Sequence, residues 1–473
     1  MNYIIISFHL LIFLIFIAWQ EKRYHNIYKI LSYIFPKEKA RRIILDNCIN
    51  LIKVLLRKGP KIFWFEFLNL RNLYLKNKKS FKLKEWKNEK LVFPYFENPE
   101  VSIMILCFNN SKYTFNCLKS LLKNTKYVSY EIIVIDNAST DNTQRMLRNI
   151  RNIKVIRNPK NYGFGKAYNK NIKFAKGKYL FFLNNDVMVT KNWLPPLLKT
   201  IKKENVGATS GKLIFPNWTI QDAGGVVVKG GPFQSYGRDD CPEKPEYNFV
   251  REVDYCSGAA LLVRKDLFLK VKGFDKRFEP FYSEDVDLCF SLRKLGYKVI
   301  YQPLAEFIHY ESVSALKLLG NHQKRDEIIE NHRQRFLKKW NKTLEREKYR
   351  IKEEFSYLDR FEKTYLLRDR RNGKKILIAF SGIIKKDMLE FLKKLSQNNQ
   401  ITLICKPLQY LKTLQQYGIE VLYEPFIKDY LNLKGKYFEI VALNYKEKDI
   451  INYCKRAKYI FFKDLKDLNI NLA

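Results

Sequence analysis

Chemistry concentrates first where an apolar run stops. Tyr179-Leu180-Phe181-Phe182-Leu183 ends abruptly on Asn184, Asn185 and Asp186. A carboxylate beside two amide carbonyls is a set of hard oxygen donors, suited to Mg2+ or Mn2+ carrying a phosphate. The same three residues also suit an ordinary Asn/Asp turn. A second run, Glu131 to Ile135, ends on Asp136 and Asn137. A lone Asp after a strand commonly caps the next helix, but two such ends, each rich in Asn and Asp, favour a nucleotide site. A third group comprises Asp275, Glu284, Asp285 and Asp287, acids crowded into a basic chain. The dipole at a helix N-terminus favours an acid by a few tenths to about 1 kcal/mol, which accounts for one of them better than three. His309 follows, beside Glu311 and Ser312; a single His is more often structural than a ligand.

These groups need elements that bring them to one edge. The run from Tyr179 reads as a strand buried on both faces, as in a mostly parallel sheet. Val101 to Phe108 is a further apolar strand, followed by Asn109-Asn110 and an amphipathic helix around Tyr113 to Leu122. Glu131 to Ile135 and Lys154 to Arg157 are strands, and Asn161-Tyr-Gly-Phe-Gly165 opens the helix leading to Tyr179. This alternation indicates an α/β fold with right-handed crossovers. Ligands in such sheets sit beyond the carboxyl ends of the strands, where Asp136 and Asp186 fall. Residues 205–255, with Gly224, Gly225, Gly230 and Gly231, read as a mobile or irregular insertion. Leu261 to Arg264 is a strand, Val286 to Leu295 a helix closed by Gly296, and Tyr297 to Tyr301 a strand with His309 beyond it.

The chain has 473 residues, enough for about two or three domains, and its 46% apolar content excludes disorder as a class. The formal charge of +39 calls for an anionic partner or surface: nucleic acid, membrane or substrate. A genome rich in Lys, Ile and Asn codons contributes to the same number. The eight cysteines show no CxxC pairing, and Cys107, Cys256, Cys289 and Cys405 lie in apolar runs. Reduced, buried thiols in a cytosolic compartment fit this better than disulfides or zinc. Ile4 to Trp19 is apolar except for Ser7 and His9, slightly short of the roughly 20 residues of a full span. It lacks a signal-peptide pattern, and Lys22 and Arg23 follow at once. Residues 1–20 are therefore expected to be a membrane anchor helix with the remaining chain cytoplasmic; a helix packed on the protein's own surface is the alternative. Residues 21–98 are basic and aromatic, with an amphipathic helix from Arg41 to Lys58 stopped by Gly59-Pro60. Such helices fit anionic headgroups and equally fit packing on the next domain.

Taken together, these stretches resemble the family 2 glycosyltransferases of GT-A fold, most closely the bacterial rhamnosyltransferase type. The matching pieces are Val101-Ser-Ile-Met-Ile-Leu-Cys-Phe-Asn109, Ile135-Asp-Asn-Ala-Ser-Thr-Asp-Asn-Thr143, Asn161-Tyr-Gly-Phe-Gly165, Leu183-Asn-Asn-Asp186, Cys256-Ser-Gly-Ala-Ala260, Gly273-Phe-Asp275, Glu284-Asp-Val-Asp-Leu288 and His309, in family order over residues 99–340. Where the family's metal motif is often Asp-x-Asp, this chain has Asn184 at its first position, a variant many members carry. The resemblance implies a nucleotide-sugar donor and inverting, single-displacement transfer. It places Phe108 and Asp136 on base and ribose, and Asp186 with His309 on Mg2+ or Mn2+. Asp285 takes the base position, with Glu284 and Asp287 its nearest competitors. Asn109, Asn137, Asn161, Gly163, Asn184, Asn185, Gly258, Ala259 and Asp287 complete the expected substrate-binding set.

Residues 341–373 form a charged helical linker after a basic run containing Trp340. From Lys374 strands and helices alternate again: Lys375 to Phe380, Asp387 to Ser396, Ile401 to Cys405, Leu408 to Tyr417, Glu420 to Tyr423, Tyr437 to Leu443 and Ala457 to Phe462. Residues 374–473 thus read as a small Rossmann-like domain of doubly wound type. It faintly resembles the N-terminal half of family 4 GT-B glycosyltransferases, but only Ser381-Gly382 stands where a phosphate loop would be. A docking or acceptor-binding module is the expectation. The function expected of the whole is transfer of sugar to a glycan or lipid-linked acceptor in cell-surface polysaccharide synthesis, on the cytoplasmic face of the plasma membrane. The competing classes are an inactive glycosyltransferase-like scaffold and a nucleic-acid-binding protein. Retention of Asp136, Asp186, Asp285 and His309 together opposes the first, and the absence of zinc spacing or any RNA-binding signature opposes the second.

Overall fold

The computed structural model describes residues 83–227, 233–311, 321–346, 368–371, 373–380, 384, 386–405, 410–422, 427–444, 450, 454 and 457–462. The expected anchor, the helix from Arg41 to Lys58, Gly230, Gly231 and Ser381-Gly382 lie outside these residues. Among the described residues no helix is long and apolar enough to cross a membrane. Six described cysteines, Cys107, Cys117, Cys241, Cys256, Cys289 and Cys454, are buried free thiols.

The first half of the main sheet comprises β1 (Val101–Cys107), α1 (Ser111–Asn124), β2 (Tyr130–Asp136), β3 (Lys154–Arg157), α2 (Gly165–Asn171) and β4 (Tyr179–Asn184). Next come β5 (Val187–Val189), α3 (Leu194–Ile201), β6 (Val206–Ile214), β7 (Ile220–Asp222), β8 (Arg251–Glu252) and β9 (Ala260–Arg264). Then follow α4 (Glu284–Lys294), β10 (Lys298–His309) and α5 (His322–Arg346). The ten-stranded sheet runs β8-β10-β6-β9-β4-β1-β2-β3, with β5 on β10 and β7 on β6. Strands β4, β1, β2 and β3 are mutually parallel, β9 runs antiparallel between β4 and β6, and β10 is parallel to β6.

Alternation along each strand feeds two cores. Met104, Leu180 and Phe182 lie in one, and Ile103, Ile105, Phe181 and Leu183 in the other. That two-sided burial is why β4 reads as a continuous apolar run.

The reading of residues 205–255 as an irregular insertion is corrected here. Val206–Ile214 is a nine-residue strand, buried throughout, in the interior of the sheet. Its sequence, Val-Gly-Ala-Thr-Ser-Gly-Lys-Leu-Ile, lacks the large β-branched run that marks a core strand. The small residues serve close approach: a Cβ on Gly211 would stand 2.1 Å from the Ala305 carbonyl oxygen. Likewise β10 extends well past Tyr301: its pairing with β6 is interrupted by an irregularity between Tyr301 and Glu306 and resumes from Glu306 to Ile308. His309 is therefore the last residue of a strand rather than part of a following loop.

The second sheet contains β11 (Lys375–Phe380), α6 (Lys386–Leu395), β12 (Gln400–Cys405), α7 (Leu411–Gln416), β13 (Glu420–Leu422), α8 (Ile427–Lys434), β14 (Ile440–Asn444) and β15 (Lys458–Phe462). Its order is β13-β12-β11-β14-β15, all parallel, which is a doubly wound arrangement. It meets the first sheet through buried polar contacts. Arg368 reaches Glu420 at 2.7 Å and the Tyr236 hydroxyl at 2.9 Å. Gln302 and Gln416 exchange amide hydrogen bonds of 3.2 and 3.0 Å.

Candidate active site

Strand register aligns the expected ligand-side residues. Cys107 pairs with Asp136, Asp136 with Arg157, and Leu106 with Asn184. After Asp186 the chain turns into β5, where Val187 pairs with His309. Sequence positions 186 and 309 therefore meet: His309 Nε2 lies 3.2 Å from Asp186 Oδ1, both side chains buried. His309 Nδ1 lies 2.8 Å from Gln221 Oε1. Burial opposes a charged imidazole, but the Asp186 carboxylate outweighs it, so the His309 pKa is raised.

A cavity of about 320 Å3 opens at this edge. Phe108, Asn137, Asn161, Gly163, Asn184, Asn185, Asp186, Gly258, Ala259, Glu284, Asp285 and His309 all line it. Ser257, Phe164, Phe281, Tyr282 and Glu311, none of them expected as site residues, line it as well.

Asp285 is held by backbone donors. Its Oδ2 accepts from the Gly258 N–H at 2.7 Å and its Oδ1 from the Val286 N–H at 2.8 Å. A Cβ on Gly258 would lie 3.0 Å from the Asp285 Cβ, so glycine permits this approach. Burial raises the Asp285 pKa despite these donors. Burial and then the neighbouring Asp285 push the Glu284 carboxyl well up, and Glu284 Oε2 is buried without a partner. Both acids follow Tyr282 and Ser283, whose φ angles of 77° and 73° are left-handed. Strained backbone of this kind turns the start of α4 toward the cavity. The loop is braced by the Asn161 motif: Phe164 N–H donates to the Pro280 carbonyl at 2.7 Å.

Three expected site residues do not line the cavity. Asp287 is turned toward α5, where Lys339 Nζ meets it at 2.7 Å and Trp340 Nε1 donates to it at 2.8 Å. Its expected substrate contact is corrected to a helix-to-helix anchor. Asn109 caps the loop after β2, its Oδ1 accepting from Thr140 N at 2.7 Å and Asp141 N at 3.2 Å. Asp136 is buried, accepting from Ser139 N at 2.8 Å and paired with Arg157. Asn137 and Asn161 line the cavity, yet the Asn137 amide spends its bonds on Asn161, Gly163, Asn158 and Tyr162. Their amides hold the loop in place.

The residues present fit a divalent cation. Asp186 Oδ1 and His309 Nε2 are buried and lack a good hydrogen bond, as expected of atoms that complete their coordination with a ligand. Among the described residues no third His, Cys, Asp or Glu joins them in a metal-sized cluster. That donor set suits an ion which keeps waters and substrate phosphate in its shell. The sequence motifs did not reveal Gln221, Asp222, Arg238 and Glu311, which back this corner. Asp222 is buried with Oδ1 unpartnered, and burial above all lifts its pKa to about 7. Arg238 clamps Glu311 through bonds of 3.1 and 2.8 Å.

Comparison with known proteins bears on this geometry. Residues 102–239 match the family described as glycosyl transferase family 2. The O-antigen biosynthesis protein RfbC of Myxococcus xanthus is 30% identical over 232 residues, 47% of this chain and 18% of that protein. The N-acetylglucosaminyl-diphospho-decaprenol L-rhamnosyltransferase of Mycobacterium tuberculosis is 28% identical over 211 residues, 39% of this chain and 67% of that one. A crystal structure of GalNAc-T7 with UDP, GalNAc and Mn2+ has a TM-score of 0.38 at 18% identity, over 46% of this chain and 44% of that one. This chain thus spans about a fifth of the Myxococcus protein. Residues 102–239 are similar to glycosyl transferase family 2, and a stretch of 211 residues is similar to a bacterial rhamnosyltransferase.

Proposed function

We propose that this protein is an inverting glycosyltransferase, moving a sugar from a nucleotide-sugar donor to a glycan or lipid-linked acceptor in cell-surface polysaccharide synthesis. The observation that carries the reading is one cavity lined both by Asp186 and His309 and by Asp285 and Glu284. Asp186 and His309 would hold Mg2+ or Mn2+ on the donor diphosphate. A bound cation of this kind would stabilise the charge developing on the leaving nucleoside diphosphate.

The chain's own residues do the remaining work. An acceptor hydroxyl is a poor nucleophile and needs a base in line with the anomeric carbon. Asp285 takes its proton as the acceptor oxygen bonds to that carbon and the bond to the diphosphate oxygen breaks. The Gly258 and Val286 N–H groups fix the carboxylate's direction. Phe108, which lines the cavity, and Asp136, buried and paired with Arg157, are assigned to the base and ribose side of the donor, as the family resemblance implies. The basic N-terminal region and residues 1–20 support a cytoplasmic, membrane-surface location, where a lipid-linked acceptor would be presented. The second sheet is assigned to docking or acceptor binding.

Incubating purified protein with a panel of nucleotide sugars, Mn2+ and lipid-linked acceptors, and following nucleoside diphosphate release, tests the reading. Release from one donor, abolished by Asp186→Ala, is expected. No release from any donor contradicts it, and activity that survives excess EDTA removes the metal assignment.

A further inference from the structure

Tyr282 and Ser283 hold φ angles of 77° and 73° immediately before the two acids of the cavity. For a residue as bulky as tyrosine this is an outlier, and it persists only where the surroundings over-determine it. The helix start does not supply the hold: Ser283 is the N-cap of α4, yet its side chain makes no cap bond. The hold comes from α5. His332, buried on that helix, places Nδ1 2.9 Å from the Tyr282 carbonyl oxygen. A carbonyl only accepts, so Nδ1 carries the proton and donates; a neutral ring and a charged one can both do this. The peptide from Tyr282 to Ser283 is a rigid plane. Turning it over would carry the Tyr282 carbonyl away from His332 and the Ser283 φ back toward the ordinary negative range. The Ser283 carbonyl accepts from the Asp287 N–H at 3.0 Å, so the turn that carries Glu284 and Asp285 would shift with it. The same face of α5 grips the rest of this segment. Arg335 donates to the Arg277 carbonyl at 2.7 Å, Lys339 reaches Asp275 at 2.8 Å, and Trp340 donates to Asp287. Their spacing from His332 puts all four on one side of the helix. The His332 ring also stands edge-on to Phe278, with centroids 5.7 Å apart.

We propose that His332 is a positioning residue, whose Nδ1–H, bonded to the Tyr282 carbonyl, fixes the left-handed turn that aims Asp285 into the cavity. It rests on the reading that Asp285 is the base. A base must stand in line with the reacting atoms, and a misplacement of about 1 Å from a change remote from the chemistry can cost about 100-fold in rate.

The test uses the full chain with Mn2+, a lipid-linked acceptor and the nucleotide sugar that the donor panel identifies. His332→Phe keeps a ring against Phe278 and removes the hydrogen-bond donor. His332→Asn removes the ring and keeps an amide N–H at the place of Nδ1. For both, kcat per folded molecule, donor KM and melting temperature are read. His332→Phe should lose up to about 100-fold in kcat with donor KM within a few-fold of wild type, and His332→Asn should recover most of that loss. A merely structural histidine would change the melting temperature and the folded fraction, and leave kcat per folded molecule alone. Wild-type kcat in His332→Phe overturns the proposal, and so does His332→Asn as slow as His332→Phe. Should His332→Phe fail to fold, long-range 1H–15N correlation spectra of histidine-labelled wild type at pH 9 decide, with His332 assigned by its loss in His332→Asn. A ring protonated at Nδ1 supports the proposal, and one protonated at Nε2 overturns it. Asp285→Asn runs beside these variants. Its transfer at the wild-type rate, or no release from any donor, removes the base reading and this proposal with it; slow Asp285→Asn beside wild-type kcat in His332→Phe removes this proposal alone.

Discussion

Asp222 offers a stability prediction with a definite sign. Its carboxyl is buried at the end of β7 with Oδ1 unpartnered, and burial lifts its pKa from 3.8 to about 7. In the unfolded chain it ionises near 3.8. Between those values the folded state holds the proton that the unfolded state releases. Stability therefore falls as pH rises through this window, and the loss is complete above the folded pKa. At about 1.36 kcal/mol per pH unit, the part of the window between pH 5 and pH 7 is worth about 3 kcal/mol. Asp222→Asn removes the titration. The amide nitrogen it places at the unpartnered position costs about 1–3 kcal/mol, but at every pH. The informative quantity is thus the change in the mutant's relative stability between pH 5 and pH 8. It should favour the mutant by up to about 3 kcal/mol, read from urea unfolding at the two values. A mutational effect equal at both pH values would refute the argument and mean that Asp222 is ionised throughout.

Asp287→Ala should destabilise the fold by about 2–4 kcal/mol, since it strands the Trp340 N–H and one side of Lys339, which keeps Asp275. Donor affinity of the folded fraction should stay within a few-fold of wild type; a normal melting temperature with weakened donor binding would restore Asp287 to the substrate site. Gly163→Ala puts a Cβ 2.4 Å from the Pro280 carbonyl oxygen at a φ of +76°. The loop carrying Tyr282 to Asp285 must then move, so transfer activity and thermal stability should both fall, and a variant with wild-type values for both would show that the loop tolerates the shift.

Much of the parallel half of the fold was legible because burial on both faces writes itself as apolar runs, as in β1, β2 and β4. The polar stop at Asn184 to Asp186 marked the ligand edge for the same reason. The rest depended on contacts between distant segments. Gly207 and Gly211 look like turn residues until Tyr297 and Ala305 are seen packed against them. The antiparallel insertion of β9 leaves no trace in local pattern, because a strand reads the same in either direction. Gln221 carries no signal of its own; it matters only because β7 lies beside the strands that carry His309. Asp287 was grouped with Asp285 by proximity in sequence, but two residues along a helix face different neighbours, one Gly258 and the other Lys339.

The central claim is that Asp285 is the base for transfer, and Asp285→Asn tests it most directly. Asn keeps the shape, and its single carbonyl oxygen can accept from only one of the Gly258 and Val286 N–H groups, so the variant's melting temperature is measured beside its activity; donor binding should survive in the folded protein. Transfer rate and donor affinity are to be measured on the same folded sample across pH. The account predicts a loss of about 10²–10⁴ in transfer rate with donor affinity within a few-fold of wild type. It also predicts that the wild-type rate falls on acidification through the raised Asp285 pKa, since the base must be ionised. Near wild-type transfer by Asp285→Asn would contradict the account and pass the role to Glu284.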